Sequence, residues 1–521
     1  MSEPLPLSGP DLAAGLPVAE VPEGGLVRGH THGAPVLLSK VDGRFHAVGA
    51  ACTHYGAPLD EGLRVGDTVR CPWHHACFDL RTGEATRGPG LQALPRYTVE
   101  LTDGIVRVVG PAPACPRHAT RAGPESVVVV GAGAAGESAV EALRHAGYDG
   151  PITLFGREPG LPVDRPNLSK DYLAGTAPEE WLPVRDEAFY REHDITLRSG
   201  VEVVGLDVST RRIELSDGSS SSFGACLLAT GADAVRLKIP GADGPGVYTL
   251  RTLADSRAII AAASAARRAV VVGASFIGLE VAAALRARGI EVHVVAPEAL
   301  PLERILGPAL GATLKEVHAQ NGVVFHLGCT PQAIEGGEVL LSDGTRLPAE
   351  LVVIGVGVRP ATALAERAGL AVDGGVLVDA YLRTSAEGVW AAGDIARWPD
   401  PHTGERQRIE HWALAQRQGQ VAARNLLGGQ ERFDAVPFFW SVHVDLCVNL
   451  VGFPAGWDRI DIDGDLGARD AALAYRRGDR TLAVATVGRD RTCLEAGVLL
   501  EEDDHAGLSR FVPATSPART R

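Results

Sequence analysis

The chain has 521 residues, 45% hydrophobic and 22% charged, which excludes general disorder and predicts about three to five domains. Lysine and arginine number 50 against 64 aspartates and glutamates, and the formal charge of −14 argues against nucleic acid or an anionic membrane as the main partner. No uncharged apolar run reaches the roughly 18 residues of a spanning helix, no secretory leader is evident, and the eight cysteines are scattered, so a reducing, cytoplasmic setting is expected.

Residues 20–108 read as short β segments, Val36–Ser39, Phe45–Gly49, Asp67–Arg70 and Tyr97–Val108 among them, separated by Gly, Asp and Pro turns. Two short motifs fall between the strands, Cys52-Thr-His54 and Cys71-Pro-Trp-His74. Two thiolates and two imidazoles suit a [2Fe–2S] centre with both cysteines on one iron and both histidines on the other, and they also suit tetrahedral zinc. His75 reads as a polar loop residue pointing away from the ligands, and Cys77 as packing. The Pro-rich stretch from Gly110 begins a linker that runs to residue 125.

From Val127 the pattern becomes strand, glycine turn, apolar helix, and it occurs twice. Val127–Val130 leads to Gly131, Gly133 and Gly136 and a helix to about Ala146; Ala269–Val272 leads to Gly273, Ser275 and Gly278 and a helix to about Arg288. In such a turn the first glycine permits the bend, the second lets backbone approach a pyrophosphate, and the third lets helix and strand pack closely. Ser275 replaces the middle glycine with a residue still small enough for close approach. Glu158 follows the second strand of the first unit, where a carboxylate bonds ribose hydroxyls. In the second unit the strand Glu291–Val295 ends in Ala296-Pro297, and Glu298 is the nearest acid. From residue 431 an aromatic run, Phe438-Phe-Trp440, opens a segment of strand-like character. No Cys-x-x-Cys lies near either glycine turn, which argues against dithiol chemistry at the nucleotide sites.

Read as one string with Gly56-Ala-Pro-Leu59 and Phe78–Glu84, the two Cys/His motifs resemble a Rieske domain over about residues 15–110. That resemblance implies Cys52, His54, Cys71 and His74 as the metal ligands. The extra disulfide of high-potential Rieske proteins would fall at Ala57 and Trp73, so a low-potential, ferredoxin-like type is implied. Asp164-Arg-Pro-Asn-Leu-Ser-Lys170, Leu228-Ala-Thr-Gly231, Gly355-Val-Gly357, Val389–Asp394, Glu410-His-Trp412 and Phe439-Trp-Ser441 resemble the ferredoxin-reductase and apoptosis-inducing-factor-like flavoproteins over about residues 125–460. The whole chain is similar to the Rieske-containing members of that group.

The resemblance implies a multidomain fold: an all-β Rieske domain over 1–109, a linker over 110–125, an α/β FAD-binding domain over 126–250 and 385–430, an α/β NAD(P)-binding domain over 251–384, and a C-terminal α+β domain over 431–521. It assigns Gly131, Gly133, Gly136, Glu158, Arg165, Lys170, Gly231, Gly393, Asp394, His411 and Trp440 to FAD. Gly273, Ser275, Gly278, Glu280, Glu298 and Gly357 fall to NAD(P)H. Lys170 and Glu280 would form an ion pair beside the flavin and act in catalysis. Only four of the 50 basic residues are lysines, at 40, 170, 238 and 315, and Lys170 is one of them. With Glu298 standing in for the missing acid, the reading leans to NADH. The implied activity passes electrons from NAD(P)H through FAD to the cluster and on to a ferredoxin, an oxygenase component or a small oxidant. A homodimer is implied as well, and an NADH-responsive redox sensor of slow turnover is the alternative.

Overall fold

The computed structural model describes residues 5–113 and 123–512; most of the expected linker, with Cys115, and the last nine residues lie outside the described ones. The N-terminal domain is all-β. Its larger sheet is antiparallel in the order Leu16–Pro17, Ile105–Pro111, Arg96–Thr102, Arg44–Gly49, Ala34–Val41, Leu26–Thr31. The segment 97–108, expected as one strand, is a hairpin. Asp103 (φ 53°) and Gly104 (φ 75°) both take the left-handed conformation, the backbone of a tight Asp-Gly turn. A second sheet of four short strands, Leu63–Val65, Thr68–Arg70, Cys77–Asp79 and Ala85–Arg87, carries the second Cys/His motif between its middle strands.

The first glycine-turn unit builds a five-stranded parallel sheet in the order Ile195–Ser199, Ile152–Gly156, Val127–Val130, Ala225–Leu228, Val389–Ala391. All four valines of the central strand are buried, as expected of a parallel strand covered on both faces. Helix Ala134–His145 packs against helix Trp412–Leu426 so closely that a Cβ on Gly419 would lie 2.1 Å from the Ala135 carbonyl oxygen.

The second unit builds a parallel sheet in the order Val247–Thr249, Leu351–Ile354, Arg268–Val272, Glu291–Ala296, Val323–Leu327, with helix Phe276–Ala287 after its glycine turn. The expected limits at 250 and 384 therefore shift. Val247–Thr249 pairs in the second sheet, whereas Leu364, Leu370, Val376 and Leu382 pack in the core of the first. The chain crosses between the layers on the paired segments Ala232–Ala234 and Val358–Pro360, which directly follow the Leu228–Gly231 and Gly355–Gly357 turns of the quoted motifs.

The C-terminal residues form a five-stranded antiparallel sheet in the order Phe438–His443, Leu446–Gly452, Arg480–Val487, Asp470–Arg477, Arg459–Asp465, covered by helices Asp490–Glu501 and His505–Phe511. One part of this sheet shares a core with the second nucleotide layer, and another packs on helix Trp412–Leu426. Among the described residues, no helix is long and apolar enough to cross a membrane.

Candidate functional site

The two Cys/His loops are built alike. The Cys52 amide donates to the Ala57 carbonyl (2.9 Å) and the Gly56 amide returns to the Cys52 carbonyl (2.9 Å); Cys71 pairs with Ala76 (2.8 Å) and His75 with Cys71 (3.2 Å) in the same way. The fifth position of each loop is left-handed, Gly56 at φ 74° and His75 at φ 57°. A side chain at such a position is unusual and asks for a reason. Here the His75 ring is buried and stacks on Phe438 at 3.9 Å, so the histidine expected as a polar loop residue turned away from the ligands is an interdomain contact.

The four ligand candidates meet as like pairs. Cys52 and Cys71 are buried beside each other, and His54 Nδ1 lies 3.2 Å from His74 Nδ1. Among the described residues no three His, Cys, Asp or Glu side chains converge as they would on one ion. Two sulfurs on one side and two imidazoles on the other fit a two-iron cluster better than tetrahedral zinc. The Cys71 thiol, with backbone N–H groups of His54 and Tyr55, holds the Cys52 thiol below its usual range. Burial lowers His54 to about 3 and drives His74 well below the usual histidine range, so both rings are neutral, the form that ligates.

One cavity of about 590 Å³ runs along the first glycine turn. It brings together Gly131, Gly133, Glu158, Arg165, Lys170, Gly231, Gly393, Asp394, His411 and Trp440, and Glu280 joins them from the second unit. Gly136 stands behind this wall, where a Cβ would lie 1.9 Å from the Gly131 carbonyl oxygen; a Cβ on Gly133 would meet nothing within 4 Å. The first is the packing glycine and the second leaves backbone open to a ligand. Glu158 accepts from Arg165 and from the Leu253 amide (3.3 Å), and Asp394 accepts from Arg251 (2.7 Å), so both acids are held at the wall by guanidinium groups. Burial lowers His411 to about 4; its ring stacks on Phe439 at 4.6 Å. A glycine cradle, a long cleft and charged groups at its wall fit a dinucleotide.

Glu280 is buried and fully engaged. It accepts from Ser169 (2.6 Å), Lys170 (2.9 Å) and Ser441 (2.6 Å). The two serines were not singled out as site residues, although both stand inside the quoted motifs. Gly273, Ser275, Gly278, Gly357 and Glu298 are not among the residues that line this cavity. Ser275 proves to be a helix cap: its Oγ accepts from the Gly278 amide (3.1 Å) and donates to the Gly355 carbonyl (2.7 Å), which explains a serine where glycine was expected. Glu298 lies just past the strand Glu291–Ala296, 3.7 Å from Arg304.

The Rieske-like loops sit against the cavity. His74 packs on Trp440 with ring centroids 4.3 Å apart, and Trp440 lines the cavity. Tyr55 donates to Asp164, the residue before Arg165. Neither contact is legible in the sequence, since the partners are over 100 residues apart.

Residues 125–419 match the model of the pyridine nucleotide-disulphide oxidoreductases. The chain belongs to this family. A Rieske [2Fe-2S] domain model matches residues 13–98 of the same oxidoreductase. The oxidoreductase is 34% identical over 482 residues to apoptosis-inducing factor 3 of Homo sapiens, covering 87% of this chain and 78% of that protein. It is 38% identical to the ferredoxin–NAD(+) reductase component of the anthranilate 1,2-dioxygenase system of Burkholderia cepacia, covering 74% and 98%. Among solved structures, the covalent putidaredoxin reductase–putidaredoxin complex matches with a TM-score of 0.71 at 34% identity, covering 73% of this chain and 94% of that one. This is an NAD(P)H-dependent flavin oxidoreductase with an N-terminal Rieske domain. Despite the family's name, no cysteine lines the cavity among the described residues.

Proposed function

We propose that this oxidoreductase takes electrons from NAD(P)H, with NADH preferred, and delivers them through its own Rieske domain to a separate one-electron acceptor such as a ferredoxin or an oxygenase component. One observation carries the reading: the imidazole of His74 rests on Trp440, a wall of the flavin cavity, at 4.3 Å. When bound, FAD takes up a hydride pair and the [2Fe–2S] cluster carries single electrons, so a cavity and a cluster site in contact couple two-electron to one-electron chemistry.

The chain's own residues supply position and charge. Gly131, Gly133 and Gly136 would cradle the FAD pyrophosphate, with Glu158, Arg165, Gly231, Gly393 and Asp394 along the same cleft. Lys170, fixed by Glu280, places an ammonium in the cavity wall, where it favours negative charge on a neighbouring ring. His411 and Trp440 bound the cavity with neutral aromatic surface. Cys52, Cys71, His54 and His74 would hold the cluster. Gly273, Ser275, Gly278 and Gly357 would hold the nicotinamide dinucleotide, and Glu298 stands where it would select NADH.

Anaerobic titration of the purified protein with NADH and separately NADPH tests this, with flavin absorbance and EPR followed together. Flavin bleaching with a rhombic cluster signal at lower NADH than NADPH is expected; bleaching with no cluster signal would sink the relay. The similarity to apoptosis-inducing factor 3 covers 87% of this chain and supports a second reading, an NADH-responsive sensor. Slow turnover with every one-electron acceptor, together with an NADH-dependent change in molecular size, would favour it.

A further inference from the structure

Besides the ring contacts at the cavity, the Rieske domain meets the rest of the chain at one partly buried carboxylate. Glu501, the last residue of helix Asp490–Glu501, accepts from Arg70 at 2.7 Å and from Arg87 at 2.8 Å. Arg70 is the last residue of the strand before Cys71, and Arg87 closes the last strand of the same small sheet. The side chains are 9% (Arg70), 19% (Glu501) and 37% (Arg87) exposed, so the Arg70 arm is shielded and the Arg87 arm is half-open. Burial would raise Glu501, yet the positive field of Arg70, Arg87 and Arg417 outweighs it and holds the carboxyl below its usual range. Beside this pair, Arg417 donates to the carbonyl of His75 at 3.1 Å, within the ligand loop itself.

We propose that Glu501 is a positioning residue: its clamp on Arg70 and Arg87 holds the second ligand loop of the Rieske domain on the flavin cavity. The inference rests on the relay reading for its functional consequence. The geometry is specific to this task. Arg70 is bonded to Cys71 along the chain, so a pull on its guanidinium is a pull on the ligand loop. Glu501 lines no part of the cavity, so it acts on docking and not on nucleotide binding. Three guanidinium groups face this one carboxylate; without it they repel one another, and this edge of the domain loses its tie while the ring contacts at His74 and His75 remain.

The test compares the full-length holoprotein with Glu501→Gln, Glu501→Lys and the milder Arg87→Ala, which guards against a variant that fails to fold. Hydrogen exchange reads docking on residues 52–57 and 71–76, and the cluster EPR line shape reports that the ligands are intact. Anaerobic stopped flow with NADH reads flavin bleaching and cluster reduction separately. Exchange in both loops is expected to rise by about tenfold or more, most in Glu501→Lys. Cluster reduction is expected to slow in the same order, with flavin bleaching unchanged. Wild-type protection of both loops in Glu501→Lys and Arg87→Ala would overturn the clamp. A wild-type protein whose flavin bleaches but whose cluster stays oxidised would overturn the relay instead, and the exchange comparison still decides the clamp.

Discussion

Glu280 offers the sharpest test of how the cavity wall is held. Its buried carboxylate takes three hydrogen bonds, from Ser169, Lys170 and Ser441, and no oxygen is idle. In Glu280→Ala the Lys170 ammonium, only 18% exposed, loses its counter-charge, and two hydroxyls lose their acceptor. Removing one partner of a buried pair costs about 3–5 kcal/mol, most of it the charge left unpaired. Lys170→Met removes that charge, so Lys170→Met with Glu280→Ala should cost well under the sum of the single changes, with a coupling of roughly 1.5–3 kcal/mol. The assay is urea unfolding of the holoprotein followed by flavin release and tryptophan emission, and midpoints are compared only where the slopes agree. Glu280→Gln, which keeps the shape and loses the charge, should fall between wild type and Glu280→Ala. Additive costs within about 0.5 kcal/mol would refute the reasoning, because they would mean that Lys170 is already solvated and that Glu280 serves only as a serine acceptor.

Further outcomes follow from other sites. Burial raises Glu137 from 4.5 to about 7, against the opposing bond from Tyr190. The folded state then holds this proton more tightly than the unfolded one, so its contribution falls as pH rises from about 4.5 to about 7, by at most about 3 kcal/mol. Glu137→Gln should flatten that slope in unfolding midpoints taken across the window; an unchanged slope would assign it elsewhere. Gly136→Ala drives a Cβ to 1.9 Å from the Gly131 carbonyl oxygen, so the protein should purify with little flavin absorbance. Full flavin content in that variant would show that the turn yields. Cys71→Ser should abolish the cluster EPR signal while NADH still bleaches the flavin, and reduction of one-electron protein acceptors should collapse; undiminished acceptor reduction would mean that electrons bypass the cluster.

What was legible in the sequence is short in range. A glycine turn between a buried strand and a helix is a backbone requirement, and Gly131 and Gly136 meet it within six residues, so the turn itself could be read directly. The two Cys/His loops are equally local, since each closes on itself through hydrogen bonds across five residues. The capping bonds of Ser275 were not anticipated, because a serine before a helix reads equally as a small residue and as a cap, and the bond to the distant Gly355 carbonyl is a tertiary contact. The limits at 250 and 384 fall beyond the Gly231 and Gly357 turns because the two three-residue strands that follow those turns carry no periodic pattern.

The sequence by itself determined that the chain holds a pair of Cys/His loops and two dinucleotide turns, because backbone sterics and ligand chemistry act between near neighbours. Only the tertiary structure decided that these parts face one another. His74 reaches Trp440, Tyr55 reaches Asp164, Glu280 collects Ser441, and Arg70 meets Glu501 across 431 residues. Each of Tyr55, Asp164, Ser441, Arg70 and Glu501, read alone, is an ordinary aromatic, polar or charged residue. Its role comes from burial against a distant partner, where a low local dielectric makes an unpaired group costly and a paired one specific.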